Sequence, residues 1–100
     1  MTLDDVLRDI HAMREDLLMF ERKYGVPTEM FYEAYKHGEE PADASWVLDW
    51  SEWAASYQIL QERLSLFAEQ SQRLLQTAQI TNYANLIERT ARHESIPVAL

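Results

Sequence analysis

One hydrophobic stripe dominates the second half of the chain. Between Trp46 and Ala78, apolar residues recur in alternating steps of four and three, and only Ser71 is polar: Trp46, Trp50, Trp53, Tyr57, Leu60, Leu64, Phe67, Ser71, Leu74 and Ala78. This spacing places the side chains on one face of a helix, and it is typical of helices that pack along their length, as in a coiled coil. Because no Gly or Pro interrupts the stripe, we predict one long helix at about 44–79.

A second amphipathic pattern begins the chain, with apolar residues again in steps of three and four: Leu3, Leu7, Ile10, Met13, Leu17, Phe20 and Tyr24. Thr2 is a good N-cap for this helix. Gly25 can adopt the positive φ that ends a helix, and Pro27 prevents its continuation. We therefore predict the first helix at about 3–24.

Two shorter helices complete the pattern. Thr28 is placed to cap a helix at about 29–37, which Gly38 would end, and Asp43 or Ser45 would cap the long helix. After position 78 the apolar residues leave the phase of the stripe and move to Ile80, Tyr83, Leu86 and Ile87. The change of phase predicts a break near 79–82, with Thr81 or Asn82 capping a fourth helix that ends at about 93.

These elements predict an all-α protein, a helical hairpin or bundle with one domain over 1–93 and an extended tail over 94–100. A helix over 44–79 would be roughly 54 Å long, whereas the first helix would reach about 33 Å. Either the fourth helix or a second chain must cover the remainder of the stripe. We expect a second chain, as a homodimer or in a complex with another protein.

Composition and charge narrow the possible partners. The chain has no cysteine and a formal net charge of −8. Residues 1–50 hold 12 acidic against 5 basic residues, so most of the excess lies in the first half. Direct contact with nucleic acid is not expected, because phosphate contacts need clusters of Lys and Arg. The acidic surface either keeps the protein soluble or meets a basic partner.

The sequence carries no motif of catalysis or metal binding. The histidines His11, His37 and His93 occur without a metal-binding spacing, and the acidic clusters at 4–9 and 39–43 lack the pattern of a calcium loop. We predict no enzymatic activity, no cofactor and no metal site. No apolar run is long enough to cross a membrane, and the acidic N-terminus is unlike a signal peptide, so a cytoplasmic location is expected.

The aromatic half of the stripe is the strongest candidate for a binding surface. Trp and Tyr side chains are enriched at the centres of protein interfaces, although the same side chains could instead form the core. The extended tail could add a strand to the sheet of a partner or simply fray. The predicted partner-binding residues are Trp46, Trp50, Trp53, Tyr57, Leu60, Leu64, Phe67, Ile96 and Val98.

Residues 21–57 carry a longer pattern: Glu21-x-Lys23-Tyr24-Gly25, Thr28-x-x-x-Tyr32, Tyr35-x-x-Gly38-Glu39 and Asp49-x-x-Glu52-Trp53-Ala54-x-x-Tyr57. This pattern resembles a group of small, acidic, helical prokaryotic proteins regarded as antitoxins of toxin–antitoxin systems. The positions that match are Tyr24, Gly25, Phe31, Tyr32, Gly38, Glu39, Glu52, Trp53 and Tyr57. The resemblance implies neutralisation by binding: the acidic protein would dock on a basic toxin, such as a nuclease, and cover its substrate groove.

Three other functions stay open at the level of sequence. The chain could be a homodimeric structural or assembly adaptor that uses the long helix. It could be an acidic mimic of nucleic acid that blocks a nucleic-acid-binding protein. An enzyme is the least favoured class. The antitoxin interpretation is preferred, with a basic protein as the partner.

Overall fold

Four α-helices and one short 3-10 helix form the structure, a computed structural model that describes residues 1–99. The all-α prediction is confirmed, and the first helix has the predicted bounds. The elements are α1 (Leu3–Tyr24), α2 (Thr28–Lys36), the 3-10 helix (Ala44–Trp46), α3 (Val47–Gln76) and α4 (Tyr83–Ala91). Together the 3-10 helix and α3 make the long helical segment that the hydrophobic stripe predicted.

One or two residues after each α-helix the chain adopts the left-handed conformation, with φ between 56° and 84°, at Gly25, Gly38, Ala78 and His93. The C-terminus of α3 forms a Schellman motif around Ala78. The Gln79 N–H donates to the Leu74 carbonyl, and the Ala78 N–H donates to the Leu75 carbonyl. This turn ends α3 at Gln76, three residues before the predicted end at 79.

The helix starts follow the predicted capping except at α2. Thr2 and Asp5 form a reciprocal capping pair, in which the Asp5 N–H donates to Thr2 Oγ1 and the Thr2 N–H donates to Asp5 Oδ2. Asp43 caps the 3-10 helix, and Asn82 caps α4. The expectation for Thr28 was wrong: α2 begins at Thr28 itself, and Pro27 occupies the N-cap. The Thr28 side chain is buried, and its hydroxyl takes part in the core.

The chain folds into two compact units. The terminal unit comprises Met1–Ile10 and Glu62–Leu100, and the central unit comprises His11–Gln61. Both α1 and α3 contribute residues to each unit. Each unit is described below by itself.

The core of the terminal unit joins the start of α1, the end of α3, α4 and the C-terminal segment. Its buried members are Leu3, Leu74, Ile80, Leu86 and Ile96, with Phe67, Leu75 and Val98 packed against them. We expected a second chain to cover this part of the stripe. Around Leu74 the cover comes instead from this chain, since the break after α3 turns α4 back onto it.

The segment after α4 is extended, as predicted, and it is held in place by main-chain pairing. The Leu3 N–H donates to the Ile96 carbonyl at 2.9 Å, and the Val98 N–H donates to the Met1 carbonyl at 3.0 Å. The Gln70 side chain both donates to and accepts from the main chain of Ala99. These bonds and the burial of Ile96 join the segment to the core of the terminal unit.

Aromatic rings fill the core of the central unit around Trp53, which is 1% exposed. The Phe31 ring stacks on the Trp53 indole with centroids 3.8 Å apart and planes inclined by 3°. Phe20 and Tyr24 stack on the same indole at 5.8 and 5.6 Å. Trp53 Nε1 donates to Thr28 Oγ1 at 3.0 Å, so its polar atom is satisfied inside this core.

Candidate functional site

The end of the 3-10 helix and the start of α3 expose three large apolar side chains in succession. Trp46 is 41% exposed, Val47 52% and Leu48 69%. Single exposed apolar residues are common on protein surfaces, but adjacent ones are a feature of interaction sites. With the cleft described next, they form what we call the entry surface, which consists of Tyr35, Glu39, Glu40, Pro41, Trp46, Val47, Leu48, Trp50 and Ser51.

A cleft of about 310 Å³ lies within the entry surface. Its walls come from the end of α2, the loop after it and the first turns of α3, and the lining residues are Tyr35, Glu39, Glu40, Pro41, Val47, Trp50 and Ser51. Two features of the sequence create this cleft. The positive φ of Gly38 ends α2 and turns the chain away from it, and Asp43 then starts the next helical segment by accepting a hydrogen bond from the Ser45 N–H.

Trp50, which lines this cleft, has an unsatisfied donor in the interior of the central unit. Its ring packs edge-to-face on Phe31, with centroids 5.4 Å apart. Its Nε1 atom is buried and has no hydrogen-bond partner among residues 1–99. A buried donor without a partner costs about 1–3 kcal/mol, and such groups therefore need an explanation in a native structure.

Asp49 fixes the position of the entry surface relative to α1. Its Oδ2 accepts hydrogen bonds from Lys23 Nζ and from the Tyr24 hydroxyl, both at 2.6 Å. These two bonds lower the pKa of the Asp49 carboxyl. Burial, followed by the bond to Asp49, raises the pKa of Tyr24. Tyr24 also contacts the Trp46 ring edge-to-face, with centroids 5.2 Å apart.

The predicted partner-binding residues fall into three groups by exposure. Trp53, Leu60 and Ile96 are buried in the chain, so their side chains are not available at the surface. Trp50, Tyr57, Phe67 and Val98 are half-buried. Trp46 and Leu64 are exposed, at 41% and 40%. Trp46 and Trp50 both belong to the entry surface as defined above, and a partner-binding role for these two stays a prediction.

Sequence reasoning missed several residues of this surface. Val47 and Leu48 lie off the three–four spacing of the stripe, and the binding residues predicted on the long helix were taken from that stripe. Glu39, Glu40 and Pro41 lie between the second and third predicted helices, outside the stripe. The sequence Trp46-Val47-Leu48 itself indicates an exposed apolar surface, because three successive large apolar residues at a helix start cannot all face one core.

A second cleft, of about 270 Å³, lies in the terminal unit. It is lined by Leu3, Asp4, Leu7, Phe67, Ile87, Thr90, Ala91, His93 and Glu94. Leu7 is 38% exposed and Ile87 is 65% exposed. The sequence placed Leu7 on the buried face of α1, but Val6 is fully buried instead.

Within residues 1–99, the structure holds no cluster of three or more side chains suited to bind a metal ion. All three histidines are exposed. No helix in this part of the chain is both long and apolar enough to span a membrane. No protein-family model, curated protein or solved structure matches the chain.

Proposed function

We propose that this protein binds and inhibits a basic protein partner in the manner of an antitoxin, with the entry surface as the contact. The observation that carries the proposal is the exposure of Trp46, Val47 and Leu48 beside a cleft bordered by two carboxylates. Aromatic and large apolar side chains supply most of the binding free energy at protein interfaces. A cytoplasmic location is part of the same proposal.

The charge of the central unit supports a basic partner. This unit holds ten acidic residues against four basic ones, whereas the terminal unit holds seven against five. The entry surface therefore lies in the more acidic part of the chain. Complementary charge raises the rate of association and disfavours acidic partners, so the acidic surroundings would select among proteins while the apolar residues hold the complex together.

Binding by the native partner tests the proposal. The tagged protein is used to capture proteins from its source organism, in parallel with the double variant Trp46→Ser/Leu48→Ser. Leu48→Ser at a well exposed site should change the free energy of unfolding by only about 0.5 kcal/mol. Trp46→Ser also removes the edge-to-face contact with Tyr24, which is worth about 0.5–1.5 kcal/mol. We expect the variant to lose at least about tenfold in affinity for the captured partner, or about 1.4 kcal/mol.

A matched control uses two other exposed apolar residues of the central unit, Met19→Ser and Met30→Ser, which are 56% and 63% exposed. The control should keep full affinity. The captured partner should be basic and should inhibit growth when expressed alone, with relief on co-expression. An acidic partner, a harmless one, or equal losses in both variants would each reject the proposal.

The cleft of the terminal unit favours a second candidate, a homodimeric adaptor. Leu7 and Ile87 leave apolar surface exposed there. In this case the protein would self-associate without any partner, and Ile87→Ser would shift the molar mass measured by light scattering from that of a dimer to that of a monomer. A monomeric wild type at concentrations of about 100 μM, where even a weak dimer of micromolar Kd would form, would remove the candidate.

A further inference from the structure

The cleft of the entry surface has the chemistry of a receptor for a positively charged side chain. Glu39 and Glu40 border it and are exposed, and neither takes part in an ion pair within residues 1–99. The nearest lysine or arginine along the chain, Lys36, is paired with Glu33 at 3.1 Å. The His37 Nδ1 atom also contacts Glu33, at its main-chain carbonyl and its carboxylate. No ion pair within residues 1–99 therefore neutralises the two carboxylates at the cleft.

Aromatic rings complete the environment that a cation needs. Tyr35 and Trp50 line the same cleft as the two carboxylates. A cation near the face of a Trp or Tyr ring is attracted by the negative charge density of the ring. Carboxylates and aromatic rings together favour arginine over lysine, because the planar guanidinium can stack on a ring and still donate paired hydrogen bonds to a carboxylate.

The size of the cleft defines the occupant further. About 310 Å³ lies at the lower end of the range for ligand pockets, which suits one long side chain rather than a whole cofactor.

We propose that this cleft receives an arginine side chain presented by the basic partner, between the rings of Tyr35 and Trp50 and the carboxylates of Glu39 and Glu40. The inference rests on the proposed function and adds the chemistry that the partner must display. It assigns Glu39 and Glu40 the role of selecting the partner, while Trp46 and Leu48 supply apolar contact outside the cleft.

The test uses acetyl-arginine amide as a probe, with acetyl-citrulline amide as its neutral isostere. In ¹⁵N-labelled protein the three indole N–H groups give separate NMR signals, which Trp→Phe variants assign. We expect saturable movement of the Trp50 signal with the arginine probe in the millimolar range and at least about tenfold weaker binding of citrulline. The Trp53 signal should stay fixed, because its N–H already donates to Thr28.

The double variant Glu39→Gln/Glu40→Gln should weaken binding of the arginine probe about tenfold. Both residues are exposed in a loop, so the variant should keep the wild-type circular dichroism spectrum. Glu15→Gln/Glu29→Gln is the control, since it removes two exposed charges elsewhere in the central unit and should leave binding unchanged.

Three outcomes would overturn the inference: equal binding of citrulline, equal or tighter binding of acetyl-lysine amide, or no movement of the Trp50 signal. The proposed function is judged separately. If the arginine probe fails while Trp46→Ser/Leu48→Ser still abolishes capture of a basic partner, only the arginine cleft is rejected. If capture fails while the probe binds as expected, the cleft stands and the antitoxin proposal falls.

Discussion

The Trp53 indole donates its hydrogen bond to a hydroxyl group, that of Thr28, and both residues are 1% exposed. The same hydroxyl donates to Glu21 Oε2 at 2.9 Å, and the Thr28 N–H donates to that oxygen at 2.7 Å. One threonine thus joins α1, α2 and α3 inside the aromatic core of the central unit. Its loss would leave a buried indole donor without a partner.

Thr28→Val should therefore destabilise the protein by about 1–3 kcal/mol, the cost of an unsatisfied buried polar group. Valine keeps the volume and removes only the hydroxyl. Thr28→Ser is the control, because it keeps the hydroxyl and removes one methyl group, and it should cost about 1 kcal/mol. Urea unfolding followed by Trp fluorescence measures both, and a valine variant as stable as the serine variant would contradict the prediction.

Stability should fall at both ends of the pH scale because of the hydrogen bonds that Lys23 and Tyr24 donate to Asp49. The folded-state pKa of Asp49 lies below its ordinary 3.8, because Lys23 and Tyr24 donate hydrogen bonds to it. Its contribution is therefore complete above pH 3.8 and is lost as the pH falls through the lower folded-state value. The pKa of Tyr24 is raised above 10.0, so its contribution is present below pH 10 and is lost as the pH rises beyond it.

Two variants separate these effects. Asp49→Asn should flatten the acid side of the curve of unfolding free energy against pH, and Tyr24→Phe should flatten the alkaline side. Urea unfolding at a series of pH values gives both slopes. Unchanged slopes in the two variants would show that other groups control the pH dependence.

Ile96→Ala should destabilise the terminal unit by about 2–4 kcal/mol, because Ile96 is 4% exposed in its core and its truncation leaves a cavity. Val98→Ala should cost less, since Val98 is only half-buried. Thermal unfolding measures the difference. Equal stability of the Ile96 variant and the wild type would mean that the C-terminal segment does not pack as described.

Ala78→Gly is expected to stabilise the protein. Ala78 adopts φ 56° at an exposed position, and the left-handed region costs an L-residue about 1–2 kcal/mol. Glycine adopts this conformation without the clash, although it also gains freedom in the unfolded chain, so we expect a net gain of about 0.5–1 kcal/mol. The matched control is Ala68→Gly at an exposed position inside α3, which should lower the free energy of unfolding by about 1 kcal/mol. A loss in both variants would contradict the prediction.

Local rules predicted much of this fold, because they depend on neighbouring residues. The glycine stops at Gly25 and Gly38 and the cap at Thr2 were evident from the sequence. Asp43 and Asn82 were each one of two candidate caps, and the structure selects them over Ser45 and Thr81. The left-handed ends at Ala78 and His93 were not, since neither residue type indicates such a turn. Their conformations follow from the packing of Ile80 and from the chain reversal after α4.

The candidate surface was only partly predictable, because one spacing served both the core and the surface. The stripe includes positions that the chain buries, such as Trp53 and Leu60, and positions that it leaves exposed, such as Leu64. Periodicity identifies the helix face but not how wide a strip of it the rest of the chain covers. That width depends on tertiary packing, which spacing alone does not contain.

The residues that resemble antitoxins have mainly structural positions. Phe31 and Trp53 form the closest ring stack in the central unit. The ring centroids of Tyr32 and Tyr57 are 4.9 Å apart, and the positive φ of Gly38 terminates α2. Such a pattern specifies how this unit folds. Glu39 is the matched position that reaches the cleft, and a function shared with those proteins stays a proposal.

The division of the chain has a consequence for its synthesis. The central unit is one continuous segment, His11–Gln61, whereas the terminal unit joins Met1–Ile10 to Glu62–Leu100. Synthesis adds every residue of the central unit before it adds Ile96, whose carbonyl accepts from the Leu3 N–H, and domains generally fold as units. The surface proposed to hold a partner therefore lies in the part of the chain that needs no later residue, whereas the first residues of α1 depend on the C-terminal segment for their main-chain partners.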